Sequence, residues 1–310
     1  MKQSMKTVTA FAPATCANVA VGFDILGFPV ENIGDEVTLI KREDKQIVIE
    51  AIDATETLPK EVEKNTASAV VKKLIEERQL NMGFSLRIKK GIPLGSGMGG
   101  SAASAVAALV ALNAFLSEPL SKEELISYAL YGEQVATGQQ HPDNVVPCLY
   151  GGLTLTRSMS PIDVIQLPIP PVYCVLVHPS YRIDTKDARA ALAPNLPLTE
   201  FVRQSANLAA FVAALYQHDL PMLQKSLTDV LIEPRRAKLL PGFYAVKRAA
   251  LTAGAMACSF SGSGPTLFAL IDALDKAETV IKQMREAFRQ HGLETISFCS
   301  AISNQGARRL

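Results

Sequence analysis

This chain has almost no net charge. Its 31 Lys and Arg stand against 30 Asp and Glu, a formal balance of +1 over 310 residues. Such a balance offers nucleic acid or an anionic membrane no long-range attraction, so an anionic ligand has to be held by local geometry. Cysteine is scarce as well. Cys16, Cys148, Cys174, Cys258 and Cys299 are odd in number, widely spaced and never paired as CxxC. That pattern argues against a disulfide framework or a zinc site and for inert thiols in a reducing cytosol. Long apolar runs are missing too. The longest, Ala102–Leu116, is too short for a bilayer and too rich in Ala and Ser, with Asn113 inside it. The opening MKQSMKTVTAFAP has neither the apolar segment nor the cleavage pattern of a signal peptide. No low-complexity tract or internal repeat interrupts the chain. The expectation is a soluble cytoplasmic protein with no nucleic-acid or membrane partner.

What is present reads as two halves. Strand-like alternation marks Val8–Phe11, Glu36–Ile40, Gln46–Ala51 and Phe84–Ile88, and helical periodicity marks Thr66–Gln79, Ser101–Leu116 and Lys122–Val135. Ser121 and Glu124 form a capping box ahead of the last of these. Gly151-Gly152 precedes a further strand, Leu153–Thr156, and the Pro- and Ser-bearing stretch Ser158–Pro171 reads as a boundary. That places the domains at 1–157 and 158–310. The second half opens with the strand Tyr173–Val177. It closes as strand (Met256–Phe260), strand (Thr266–Ile271), helix (Lys276–His291) and strand (Thr295–Cys299). That order predicts an antiparallel sheet with helices on one face, an α+β architecture.

The richest chemical signal lies between a strand and a helix: Pro93-Leu94-Gly95-Ser96-Gly97-Met98-Gly99-Gly100-Ser101-Ala102-Ala103. A glycine-rich turn opening a helix presents unpaired N–H groups at the positive end of the dipole, where phosphate binds. Three templates fail. The P-loop needs a Lys after its last Gly, and Ser101 stands there. The dinucleotide fingerprint fits Gly95, Gly97 and Gly100 formally, but Glu118, at the spacing of the ribose acid, lies between two helical segments rather than after a strand. A protein-kinase loop needs a hairpin after the glycines, and a helix comes next here.

A fourth template fits. The stretch resembles the central motif of the GHMP kinases, Pro-x-Gly-x-Gly-Leu-Gly-Ser-Ser-Ala, with Met98 for the Leu and Gly100 for the first Ser. Pro13-Ala-Thr-Cys-Ala17-Asn18-Val-Ala-Val-Gly22-Phe23-Asp24-Ile-Leu26-Gly27 resembles the N-terminal signature of the homoserine kinases at every named position. Ser261-Gly262-Ser263-Gly264-Pro265-Thr266-Leu267-Phe268 is similar to the third GHMP motif. The resemblance spans essentially the whole chain. It implies the two-domain GHMP kinase fold, with a first domain like the second domain of ribosomal protein S5 and a ferredoxin-like second domain. It also implies ATP at Pro93–Ala103, Mg²⁺ held by Ser101 and Glu133, and an active site between the domains. Asn65, at a helix start, either reaches the adenine or ribose or serves as an N-cap.

The segment after Glu133 narrows the substrate. Mevalonate kinase and galactokinase carry an Asp, regarded as a general base, eleven residues after this Glu; here the eleventh residue is Asn144. An amide cannot accept a proton at neutral pH, so no base acts through this position. The homoserine kinases are similar in carrying Asn there, within His-x-Asp-Asn, here His141-Pro-Asp143-Asn144. Direct in-line attack by the substrate hydroxyl is then implied, with Asp143 the rival base. An amino-acid substrate needs a carboxylate clamp, for which arginine is suited. Arg189 and Arg236, the latter in Glu233-Pro-Arg235-Arg236, match the family, and Asn18, Asp24 and His141 would complete the site, with Asp24 facing the ammonium. The expected reaction is ATP-dependent phosphorylation of L-homoserine to O-phospho-L-homoserine in threonine biosynthesis. Another GHMP kinase acting on a mevalonate- or sugar-type alcohol and a catalytically silent binding protein on this fold are the alternatives. A homodimer, common in the family, is left open by the sequence.

Overall fold

In the computed structural model, which describes residues 6–192 and 195–310, Thr7–Ala17 (β1) and Leu26–Arg42 (β2) form a long antiparallel pair. The register shifts between Pro13 and Thr15, a bulge of the kind that bends a strand and redirects the chain beyond it. Ile47–Asp53 (β3), Thr66–Glu77 (α1) and Gly83–Lys89 (β4) come next, with β3 and β4 parallel and β4 beside β2. The glycine turn leads into Gly100–Asn113 (α2), then Lys122–Thr137 (α3) and Pro142–Tyr150 (α4). Leu153–Met159 (β5) and Ile162–Leu167 (β6) form a hairpin that joins the first sheet through β2.

Helix α2 sits at the centre of this half. Ala102, Ala103, Ala105, Ala107, Ala108 and Ala111 are all fully buried, so the helix is apolar around its circumference, as a helix covered on every side must be. Its small side chains let β1, β2 and the flanking helices approach closely. The capping box of α3 is present as expected, with Ser121 Oγ accepting from Glu124 N and Glu124 Oε2 accepting from Ser121 N.

The second half contains Tyr173–Pro179 (β7), Thr185–Ala190 (α5), Leu198–Gln217 (α6), Leu220–Ser226 (α7), Glu233–Arg236 (α8), Phe243–Thr252 (α9), Ala257–Phe260 (β8), Leu267–Ile271 (β9), Ala277–Arg289 (α10) and Thr295–Ala301 (β10). Its four strands run in the order β10-β7-β9-β8, every neighbour antiparallel. That order and connectivity are those of a ferredoxin-like sheet. Arg308–Arg309 (β11) returns to the first sheet beside β1.

The β5–β6 hairpin, turning at Ser160–Pro161, spans the expected division at 157/158, and both of its strands stand in the first sheet. The Ser- and Pro-bearing stretch is thus in part a hairpin turn. Sheet membership changes after Leu167, apart from β11. The halves are joined where Val30 on β2 bridges Ile302 and where Glu31 N donates to Ser300 Oγ at 2.6 Å. One buried cluster runs across the join, including Cys16 and Val19 from the first half and Cys174 and Leu176 from the second. No helix among the described residues is long and apolar enough to cross a membrane.

Candidate active site

The three glycine-bearing segments meet at a cleft of about 630 Å³. Gly95, Gly97 and Gly99 all have positive φ, between 65° and 76°. A Cβ at Gly97 would lie 2.5 Å from the carbonyl oxygens of Ser261 and Gly264, so the central turn and the third motif are packed backbone to backbone. Thr266 N donates to Ser96 O at 3.2 Å and Ser261 Oγ to Gly97 O at 3.0 Å, closing the contact. Gly99, the N-cap of α2, is equally constrained: a Cβ there would lie 2.2 Å from Thr15 Oγ1. The first intrahelical bond of α2 is Ala103 N to Gly99 O. The amides before it point out of the helix end, as phosphate binding requires.

Beneath this turn lies a buried charge network. Lys90 Nζ pairs with Asp35 and donates to Gly100 O at 2.8 Å and Ser104 Oγ at 2.9 Å. Asp35 also accepts from the amides of Gly91 and Ile92 and from Ser104 Oγ. The segment entering the turn is thereby tied to the first turn of α2. Met98, Ala102 and Ala103, also expected at the nucleotide, are fully buried and do not line the cleft; the Met98 amide donates to Ser96 Oγ and that of Ala103 to Gly99 O. Pro93–Gly97, Gly99, Gly100, Ser101 and Asn65 line the cleft. Asn65 caps α1, with Oδ1 accepting from Ala67 N and Nδ2 donating to Pro59 O, both at 3.1 Å.

Ser101 Oγ donates to Glu133 Oε1 at 2.5 Å across α2 and α3. Burial pushes the Glu133 carboxyl up to about 7, with the Ser101 bond opposing. Two hard oxygens side by side at the mouth of a phosphate-type turn fit Mg²⁺, which takes few protein ligands and completes its shell with phosphate and water. Among the described residues no cluster of three or more His, Cys, Asp or Glu offers a protein-only metal cage.

The far end of the cleft is charged. Arg189 grips Asp24 with two bonds, 2.8 and 3.1 Å, and its Nη2 lies 3.2 Å from His141 Nδ1. Arg236, 4% exposed, donates from Nε to Ala188 O and from Nη1 to Gly262 O. Two of its five donors are used this way, leaving the rest of the fork available. Burial, with Arg189 nearby, lowers its pKa to about 10. Asn18 joins the two ends, with Nδ2 donating to Gly262 O at 2.8 Å and Oδ1 accepting from Asp24 N at 2.9 Å. Asn18, Val19, Ala20 and Asp24 all have positive φ, a costly backbone that recurs at ligand sites. Between the ends, Thr15 Oγ1 donates to Asn144 Oδ1 at 2.7 Å. His141 is the N-cap residue of α4, which puts Asp143 and Asn144 in its first turn.

With this geometry in place the comparisons with known proteins are specific. Residues 65–152 match the profile of the GHMP kinases N terminal domain, and residues 211–290 match GHMP kinases C terminal. A homoserine kinase of Chloroherpeton thalassium is 45% identical, covering 99% of this chain and 100% of its own length. One of Xylella fastidiosa strain M12 is 45% identical, covering 97% and 93%. The chain belongs to the homoserine kinase family of the GHMP kinases. The crystal structure of homoserine kinase from Cytophaga hutchinsonii matches at a TM-score of 0.96 and 40% identity over 100% of this chain and 99% of that one. An L. major mevalonate kinase, at 0.72 and 14%, shares the fold.

Several groups in this homoserine kinase family member escaped the sequence. Phe23 lies under both guanidiniums, 4.8 Å from that of Arg189 and 5.0 Å from that of Arg236, a cation–π platform that holds two like charges side by side. Its only sequence signal was its named position in the N-terminal signature, to which no role was attached. Thr15, Lys90, Asp35 and Ser104 carried no signal, because their partners lie far away in the chain. Asp143 is 3% exposed and lines the cleft, and its Oδ1 has no partner among the described residues. Burial first, then the charges of Asp24 and Glu133, push its carboxyl up to about 8. Burial likewise lowers the pKa of His141, against the pull of Asp24.

Proposed function

We propose that the chain transfers the γ-phosphoryl group of ATP to the side-chain hydroxyl of L-homoserine in the cytoplasm, forming O-phospho-L-homoserine for threonine synthesis. One observation carries the reading. A single cleft is lined by the glycine turn with Ser101 and Glu133 and, further along, by Asp24, Arg189 and Arg236, a mixed-sign set suited to a zwitterion. ATP phosphates would lie on the amides at the start of α2. Ser101 and Glu133 would hold Mg²⁺, whose charge offsets that of the phosphate oxygens. Arg236 and Arg189 would take the substrate carboxylate and Asp24 its ammonium, with Asn18 and His141 orienting these groups. Arg189 and Asp24 already satisfy each other, so substrate binding exchanges one ion pair for two.

Asn144 orients the acceptor hydroxyl and takes no proton. Its Oδ1 is engaged by Thr15, which leaves its N–H groups facing an oxygen of substrate or phosphate. With its pKa near 8, Asp143 is mostly a neutral acid at pH 7. Phosphoryl transfer through a loose transition state needs positioning and charge neutralisation more than base strength. A coupled ADP-release assay over a panel of hydroxyl substrates tests the assignment. Saturable turnover of homoserine is expected; none with homoserine, but saturable turnover of mevalonate or a sugar, would overturn it.

A further inference from the structure

Outside the cleft, α8 is held by carboxylates that the reaction does not use. Four residues cannot sustain a helix alone. Asp229 holds its start, with Oδ1 accepting from Leu231 N and Ile232 N, both at 2.8 Å, and Oδ2 from Glu233 N at 2.9 Å. Glu233 is 5% exposed and does not line the cleft. Lys247 Nζ from α9 donates to both its oxygens, at 2.5 and 2.7 Å, and Ser259 Oγ from β8 donates to Oε2 at 2.7 Å.

Three residues after Glu233 comes Arg236, and three after Ser259 comes Gly262. Two parallel ties therefore join α8 to β8 and the turn after it: Glu233 to Ser259, and Arg236 Nη1 to Gly262 O at 3.3 Å. We infer that Glu233 is a positioning residue for Arg236, fixing the register of α8 against β8 so that the guanidinium stands over Phe23 in the cleft, with Lys247 as its counter-charge. A buried ion pair is seldom more stabilising than apolar residues of the same shape. Its retention here serves placement. The Gly262 carbonyl is shared by Arg236 and Asn18, so a shift of α8 is felt first at the carboxylate end of the substrate, whereas the glycine turn is held by separate bonds from Ser261 and Thr266.

The inference rests on Arg236 gripping the substrate carboxylate, and the KM of Arg236→Ala for homoserine against that for ATP tests that reading separately. In folded protein, Glu233→Gln and Lys247→Met are expected to raise KM for homoserine about tenfold, the effect of one misplaced charge-assisted hydrogen bond. KM for ATP should stay within about twofold, and Lys247→Arg should restore the homoserine value. In an Arg236→Ala background Glu233→Gln should add nothing further, because both act through one group. If Glu233→Gln does not fold, Ser259→Ala, which removes one bond and no charge, carries the same test with a smaller rise. Unchanged homoserine KM in the folded variants, equal rises for both substrates, or full additivity with Arg236→Ala would overturn the inference.

Discussion

Asn144 and Asp143 are adjacent in the first turn of α4, yet their polar atoms have different fates. Asn144 is tied to Thr15, whereas one oxygen of Asp143 is buried without a partner among the described residues. Asn144→Ala should lower kcat through lost orientation and leave the pH profile of kcat without a new titration; a new acid limb would show that the amide had been masking a base. Asp143 also makes a stability prediction. In the folded chain it keeps its proton up to about 8, against an ordinary 3.8. Between those values the folded state binds more protons than the unfolded one, so this group's contribution to stability falls as pH rises. Denaturant midpoints of the unliganded protein compared at about pH 5 and about pH 8 should drop less in Asp143→Asn than in wild type. Parallel drops would mean that the carboxyl is already ionised at the lower pH.

At the scale of elements, the regular segments were legible where periodicity ran uninterrupted, as in α1, α2, α3 and α10. Helix α4 was not, because Pro142 opens it and Pro147 lies inside it, which reads locally as a break. The first part of β2 was hidden by Gly27, Pro29 and Gly34, and β6 by the Ser160–Pro161 turn. The site was legible as motifs, because glycine turns and an Asn in place of an Asp are local facts. Which groups meet was not, since the bonds from Thr15 to Asn144 and from Asn18 to Gly262 link residues far apart in the chain. Within the central turn, neighbouring glycines should respond in opposite ways. At Gly99, φ is +70° and a Cβ collides with Thr15, so Gly99→Ala should cost at least the roughly 1–2 kcal/mol of a left-handed backbone and weaken ATP binding. A Cβ at Gly100 meets nothing nearer than 3.4 Å. Gly100→Ala should therefore be neutral or stabilising by roughly 0.4–1 kcal/mol, and Gly100→Ser should be accepted near Lys90. Denaturant midpoints and KM for ATP measure both, and an equal loss at the two positions would contradict the geometry.

The whole molecule divides the lining of the cleft between its halves. Helices α2, α3 and α4 of the first half supply the glycine turn, Ser101, Glu133 and Asn144. Arg189 and Arg236 come from α5 and α8 of the second, and the Asn18–Asp24 loop reaches across to them. The ends of the cleft are thus built by different layers, and damage to one should be readable apart from the other. Arg236 is the sharpest probe. It is buried, its guanidinium bonds the backbone of Ala188 and Gly262, and none of its hydrogen bonds goes to the glycine turn. Losing a charge-assisted contact of about 1.5–3 kcal/mol should raise KM for homoserine roughly 10- to 150-fold in Arg236→Ala, with KM for ATP nearly unchanged. Arg236→Lys should recover only part of the loss, since a point charge cannot reproduce the planar fork that bonds Ala188 and Gly262 while meeting a carboxylate. Equal rises for both substrates would mean that Arg236 braces the two halves against each other instead of binding the amino acid. Removing the homoserine carboxylate distinguishes the two roles further: a substrate analogue lacking it should discriminate poorly between wild type and Arg236→Ala, because the group that Arg236 meets is then absent from both.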